Sequence, residues 1–192
     1  MKKAVFCDRD GVLNKMIYRE VRKEYEPPHT TEELKFFDNV FDGFYMLQDS
    51  GFEIFIVSNQ PDYAKGKAEY KDILSVSEEF KRIIESNGIK IREYYYCFHH
   101  PNAVIDSLRI KCECRKPGTK FVEEAISKYD IEREKSFFIG DRNSDILCGK
   151  KAGLRTILVK NPDSDYKEDE NKPDFESDSF FEAVKLIINI TK

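Results

Sequence analysis

The chain has 192 residues, a length that accommodates one domain, residues 1–192, with a sizeable core. Apolar residues make up 40% of it and charged residues 35%, the balance of a soluble globular protein. The formal net charge of −4 supplies no basic excess for nucleic acid, and no run approaches the roughly 20 apolar residues of a membrane span.

Charges at Asp8, Arg9 and Asp10 end the first apolar run too early for a signal peptide, so a cytoplasmic location is the expectation; a monomer is expected as well. Short apolar runs alternate with amphipathic segments, which predicts an α/β fold with a mainly parallel central sheet flanked by helices. The first strand is read over Lys3 to Asp8. A long polar segment follows through Pro27, Pro28 and His29 and is expected to shape the substrate entrance. Asn39 to Ser50 reads as a helix with Val40, Phe44 and Leu47 on one face and Gly51 as its stop. Phe52 to Ser58 has the composition of a fully buried strand. A longer helix spans about Glu69 to Ser86, and Tyr94 to Phe98 is a third strand. Residues 99–117 form an insert rich in Cys and His. A helix over Gly118 to Tyr129, a strand over Ser136 to Ile139 and a helix over Ser144 to Ala152 come next. Thr156 to Val159 reads as the last core strand, Asn161 to Lys172 as an exposed charged loop, and Ser179 to Ile190 as a closing helix.

The chemistry sits at the strand ends, where open α/β sheets bind ligands. Phe6-Cys7-Asp8-Arg9-Asp10-Gly11-Val12-Leu13-Asn14 leaves two carboxylates at the end of the first strand, with Gly11 turning the chain at once. One acid can attack phosphorus while the other protonates the leaving alcohol. Taken alone, Asp-x-Asp-Gly equally describes an exposed turn. Ser58-Asn59-Gln60 offers a hydroxyl and a carboxamide that can bind a phosphoryl oxygen or cap a helix. Lys116, in Arg115-Lys116-Pro117-Gly118, is a fixed positive charge or an ordinary solvated lysine. Asp141, in Gly140-Asp141-Arg142-Asn143-Ser144-Asp145, ends another buried strand and suits a hard cation such as Mg²⁺; Asp145 either supports that site or serves as a helix-start charge.

A second cluster is separate. Cys97-Phe98-His99-His100-Pro101 and Cys112-Glu113-Cys114 place three of the five cysteines and two of the three histidines within residues 97–114. Three thiolates and one imidazole make a closed tetrahedral Zn²⁺ site, structural because it leaves no position for substrate. Spacing alone does not choose between His99 and His100. Cys7 and Cys148 read as buried apolar fillers.

In this order the three strand-end motifs and the lysine before a helix, from Val5 to about Val159, resemble the four motifs of the haloacid dehalogenase (HAD) superfamily. The resemblance implies a Rossmann-like HAD core and an aspartyl-phosphate at Asp8, with Asp10 as general acid and then base. It also implies Mg²⁺ on Asp8, the backbone carbonyl of Asp10 and Asp141, and phosphate on Ser58, Asn59 and Lys116. The zinc insert, with Asp-Arg-Asp-Gly-Val-Leu-Asn, is similar to that of D-glycero-D-manno-heptose-1,7-bisphosphate 7-phosphatases and of histidinol-phosphate phosphatases. That likeness selects His99 as the fourth zinc ligand, implies no large cap domain and points to a small phosphorylated metabolite. The histidinol-phosphate activity and a catalytically inactive zinc-stabilised binding protein are the alternatives. Gln60-Pro61-Asp62 replaces the Gln-Ser-Gly usual in heptose-bisphosphate enzymes, and Asp62 puts a carboxylate near the expected substrate rim. Arg115 is a candidate for a second anionic group of the substrate.

Overall fold

The computed structural model describes residues 1–191. Six strands form one parallel sheet: β1 (Ala4–Cys7), β4 (Glu53–Asn59), β5 (Glu93–Cys97), β6 (Phe137–Gly140), β7 (Arg155–Val159) and β8 (Phe175–Ser177). Their order is β5-β4-β1-β6-β7-β8. The chain first builds outward from β1 through β4 to β5, then returns to the other side of β1 with β6. The order reverses between β1 and β6, and a crevice opens there at the carboxyl ends of the strands.

Both sheet faces are covered, as the apolar strands require. Val5 and Cys7 point to the face packed by α1 (Val40–Asp49), α2 (Tyr70–Ser86) and α5 (Phe180–Ile190). Ala4 and Phe6 alternate to the opposite face, under α3 (Lys120–Tyr129) and α4 (Asn143–Lys151). Phe6 stacks on Phe55, with ring centroids 4.8 Å apart, and Phe138 continues the stack at 6.4 Å. Among the described residues no helix is long and apolar enough to cross a membrane.

Two elements depart from the sequence expectation. Thr156–Val159 is not the last strand, because Phe175–Ser177 pairs in parallel with β7. The polar segment after Asn14 contains an antiparallel hairpin, β2 (Ile17–Arg19) with β3 (Glu24–Glu26), which stands apart from the main sheet. Both strands are three residues long, and the hairpin's one buried residue is Glu26, a charge. Apolar alternation cannot reveal such elements.

Candidate active site

Three strand ends meet at one cavity of about 170 Å³, lined by Asp8, Asp10, Ser58, Asn59, Arg115, Lys116, Arg142 and Asp145 among others. The parallel register sets this up: Cys7 pairs with Ile139, and the Asp8 amide donates to the Ile139 carbonyl at 2.9 Å. Asp8 thus leaves β1 beside the Gly140-Asp141 turn that leaves β6. Two glycines allow the crowding. Gly11 has φ of +91°, and a Cβ there would overlap the Asp141 carboxylate; a Cβ at Gly140 would overlap the Asp145 side chain.

Asp8, Asp141 and Asp145 bring one carboxylate oxygen each within 4.8 Å of one another. All three are buried, and Asp141 and Asp145 are fully so. The Lys116 ammonium, 3% exposed, lies 2.8 Å from Asp8 Oδ1 and 2.7 Å from Asp145 Oδ1, and donates to the Val57 carbonyl at 2.8 Å. Burial disfavours this ammonium, but Asp145 and Asp8 outweigh burial and push its pKa up. The trio nevertheless keeps a formal excess of negative charge, since the one ammonium contacts only Asp8 and Asp145 of the three carboxylates. Asp141 shows the consequence. Burial, then Asp8 and Asp145, push its carboxyl well above the ordinary range, and its Oδ1 has no partner among the described residues. A buried carboxylate with one unpartnered oxygen beside two other carboxylates is the donor set a hard divalent cation takes. Asp145 fills the helix-start role foreseen for it, because its Oδ2 accepts from the Arg142 amide at 3.0 Å and so caps α4.

Asp10 lines the same cavity and sits in a cradle of donors. Arg9 Nη2 reaches its Oδ2 at 3.0 Å, Gln60 Nε2 at 2.5 Å, and Asn14 Nδ2 reaches Oδ1 at 3.0 Å. Arg9 is 1% exposed and also donates to Gln60 Oε1 and Ser77 Oγ, under the rings of Tyr96 and Phe80. Arg9, Asn14 and Gln60 carried no role in the sequence reading. Asn14 stands four residues after Asp10 in the same motif, and that spacing was its available signal.

Ser58 lines the cavity, and its hydroxyl accepts from Gln60 Nε2 at 3.0 Å. Asn59 is engaged differently from expectation. Its Oδ1 accepts from the Lys116 amide at 3.0 Å and its Nδ2 donates to the Lys116 carbonyl at 3.2 Å, so it grips the lysine's main chain. Arg115 and Lys65 line the cavity farther out, and burial pushes both below their ordinary values. Asp62 faces the same cavity, but its carboxylate meets His29 Nε2 at 2.8 Å. The supposedly exposed loop after β7 comes inward at its start: Ser164 hydrogen-bonds Asp141 Oδ2, and Asn161 Nδ2 donates to the Gly11 carbonyl at 3.0 Å.

The Cys/His cluster forms directly beside this site, since Asn59 pairs with Cys97 across β4 and β5. Cys97 Sγ is 3.6 Å from Cys112 Sγ and 3.4 Å from Cys114 Sγ, and the latter two are 3.1 Å apart. His99 Nδ1 is 3.5 Å from Cys114 Sγ and 3.9 Å from Cys97 Sγ. Ligands of a tetrahedral Zn²⁺ stand roughly 3.5–3.8 Å apart, a range that the 3.1–3.9 Å separations here bracket, and three thiols with one imidazole are the donors that ion takes. They are too far apart for a disulfide. His100 is outside the group and accepts from the Asn102 amide at 3.1 Å. Burial raises the Cys97 and Cys114 thiols, whereas contacts from Cys114, the Arg115 backbone, Cys97 and His99 outweigh burial at Cys112 and bring it to about 7.

Residues 113–185 match the HAD-hydrolase-like family. A D-glycero-alpha-D-manno-heptose-1,7-bisphosphate 7-phosphatase of Photorhabdus laumondii is 32% identical over 186 residues, covering 96% of this chain and 96% of its own. The chain belongs to the HAD superfamily of phosphatases. A D-glycero-D-manno-heptose-1,7-bisphosphate 7-phosphatase of Chlorobaculum tepidum is 31% identical over 190 residues, covering 95% of this chain and 92% of its own. These relatives do not favour the histidinol-phosphate alternative. The HAD fold is matched by the crystal structure of a D,D-heptose 1,7-bisphosphate phosphatase from B. bronchiseptica complexed with magnesium and phosphate. Its TM-score is 0.77 at 17% identity, with 98% of this chain and 99% of that chain covered.

Proposed function

We propose that this HAD phosphatase hydrolyses a small sugar phosphate, D-glycero-D-manno-heptose 1,7-bisphosphate at its 7-phosphate or a related compound, through a phosphoenzyme on Asp8. The observation that carries the reading is that Asp141 and Lys116, from two distant stretches of chain, converge on Asp8, which lines the cavity. In the first half-reaction an Asp8 oxygen attacks phosphorus, the ester P–O bond breaks, and Asp10 gives its proton to the departing alkoxide. In the second, water attacks the aspartyl-phosphate while the Asp10 carboxylate takes the water's proton, and Asp8 is regenerated.

Lys116, 2.8 Å from Asp8 Oδ1, offsets the repulsion between that carboxylate and the incoming phosphate. The Ser58 hydroxyl faces the same space and binds a phosphoryl oxygen. Asn59 supports phosphate binding through its grip on the Lys116 main chain. Asp8, Asp141 and the backbone carbonyl of Asp10 would hold Mg²⁺, whose charge, when bound, neutralises phosphoryl oxygens in the transition state. Cys97, His99, Cys112 and Cys114 would hold a structural Zn²⁺ that pins the loop delivering Arg115 and Lys116. Arg115, half-buried beside Lys65, suits a second anionic group on the substrate, as a sugar bisphosphate carries. The relatives' substrates supply the particular sugar.

A phosphate-release screen with Mg²⁺ over sugar phosphates, sugar bisphosphates and histidinol phosphate tests this. The highest kcat/KM is expected with a sugar bisphosphate. Absence of release from every ester by folded protein would refute the reading.

A further inference from the structure

The hairpin of β2 and β3 forms one wall of the cavity, through Glu24, Tyr25 and Glu26. The facing wall is the 61–67 loop, through Pro61, Asp62, Lys65 and Lys67. Among the described residues the hairpin has no strand partner in the main sheet, and Tyr18, Val21 and Tyr25 on it are exposed. Apolar burial therefore does little to hold it in place. Polar pairs do that work. His29, just beyond β3, meets Asp62 at 2.8 Å, and both side chains are largely buried, 13% and 5% exposed. Lys67 reaches Glu26 at 2.8 Å and Glu24 at 2.5 Å from the same loop. Glu26 is further held by Arg22 at 2.6 Å. The backbone of His29 is itself fixed, because its amide donates to Glu33, which Arg19 grips with two hydrogen bonds of 2.6 and 2.7 Å.

We propose that His29 and Asp62 are positioning residues whose side-chain pair clasps the hairpin to the 61–67 loop, and so sets which leaving alcohol the cavity accepts. The inference rests on the phosphatase reading above. Neither residue touches Asp8 or Asp141, and the clasp acts by fixing the gap between two walls. Lys67 draws the hairpin to the loop by charge. His29 and Asp62 add direction, since an imidazole nitrogen and a carboxylate oxygen must align to bond. The loop also continues straight from Gln60, whose side chain touches Asp10, so wall and acid share one stretch of chain. In a chain with so small a cavity, a displaced wall alters fit for a bulky alcohol before it alters the phosphoryl end.

The test uses full-length Asp62→Ala, His29→Ala, the double variant and the conservative His29→Gln, each confirmed folded by its thermal melt. The probes are a sugar bisphosphate and p-nitrophenyl phosphate, whose flat leaving group makes no sugar contacts. The expected result is a tenfold or greater fall in the kcat/KM ratio of sugar bisphosphate to p-nitrophenyl phosphate, carried by KM. His29→Gln should recover part of it, and the double variant should match either single one because the pair acts as a unit. Trypsin should also cut faster at Arg22 and Lys23 in the hairpin turn of both alanine variants. An unchanged ratio, an equal loss on both substrates or an unchanged cleavage rate would overturn the clasp while leaving the phosphatase reading intact. A wild-type protein inactive on both probes would overturn the two together.

Discussion

Replacing Lys116 by Met gives the sharpest test of the buried charge cluster. Its ammonium is 3% exposed and sits against two carboxylates and a carbonyl at 2.7 to 2.8 Å. Methionine fills much the same volume, so the packing term stays small. What is lost is the counter-charge. Asp8 and Asp145 remain buried with Asp141 and no cation in contact. Breaking a buried ion pair from one side costs about 3–5 kcal/mol, a large part of a domain's roughly 5–15 kcal/mol. Urea unfolding at neutral pH without added Mg²⁺ reads this directly. Asp145→Asn in the same background should then recover at least about 1 kcal/mol, because it removes one of the stranded charges. The sign of the pH effect follows too. The Asp141 and Asp145 carboxyls are held above their unfolded values, so they bind more protons folded than unfolded, and the variant's deficit should shrink as pH falls below neutral. A loss under about 1 kcal/mol, or effects of the two substitutions that simply add within about 0.5 kcal/mol, would refute the account of this cluster.

Asp8→Asn should abolish phosphate release while leaving zinc content and melting behaviour near wild type; near-normal turnover would remove Asp8 as nucleophile. Metal analysis should find one zinc per chain, and stripping it with a chelator should both loosen residues 97–114 in hydrogen exchange and depress turnover, because Cys114 directly precedes Arg115 and Lys116. Arg19 holds the Glu33 carboxyl down to about 2, against an ordinary 4.5. Stability from that pair is therefore present above about pH 4.5 and lost as pH falls towards 2, and Arg19→Met should flatten this part of the acid-unfolding curve followed by near-ultraviolet circular dichroism. Gly140→Ala should destabilise by at least about 1–3 kcal/mol in urea unfolding, since the added methyl meets the buried Asp145 side chain. A neutral substitution there would mean the turn can relax.

The sheet and its strand-end acids were legible because parallel strands buried on both faces must be apolar, and because Asp8 and Asp141 break those runs abruptly. Helix bounds came within about two residues for the same reason of periodicity. The hairpin was not legible: its strands read Ile-Tyr-Arg and Glu-Tyr-Glu, and what holds them is ion pairing, which leaves no periodic trace in sequence. Phe-Glu-Ser at β8 is likewise too short to stand out. Within the site, Arg9 lay in plain view inside the first motif, yet a lone arginine gives no sign that it is almost wholly buried against Asp10. Ser164 lay in a charged loop that looked solvent-facing, and only the folded chain carries it back to Asp141.

The Asn59 carboxamide gives one last consequence. By grasping both the amide and the carbonyl of Lys116, it fixes the root of a side chain whose tip is already anchored. A lysine on a free stem would have to be recruited anew in each turnover, at an entropic cost and with a lag in solvent rearrangement. Here the positive charge is part of the masonry: in the proposed reaction it would already stand where negative charge builds up and would lower the barrier without moving.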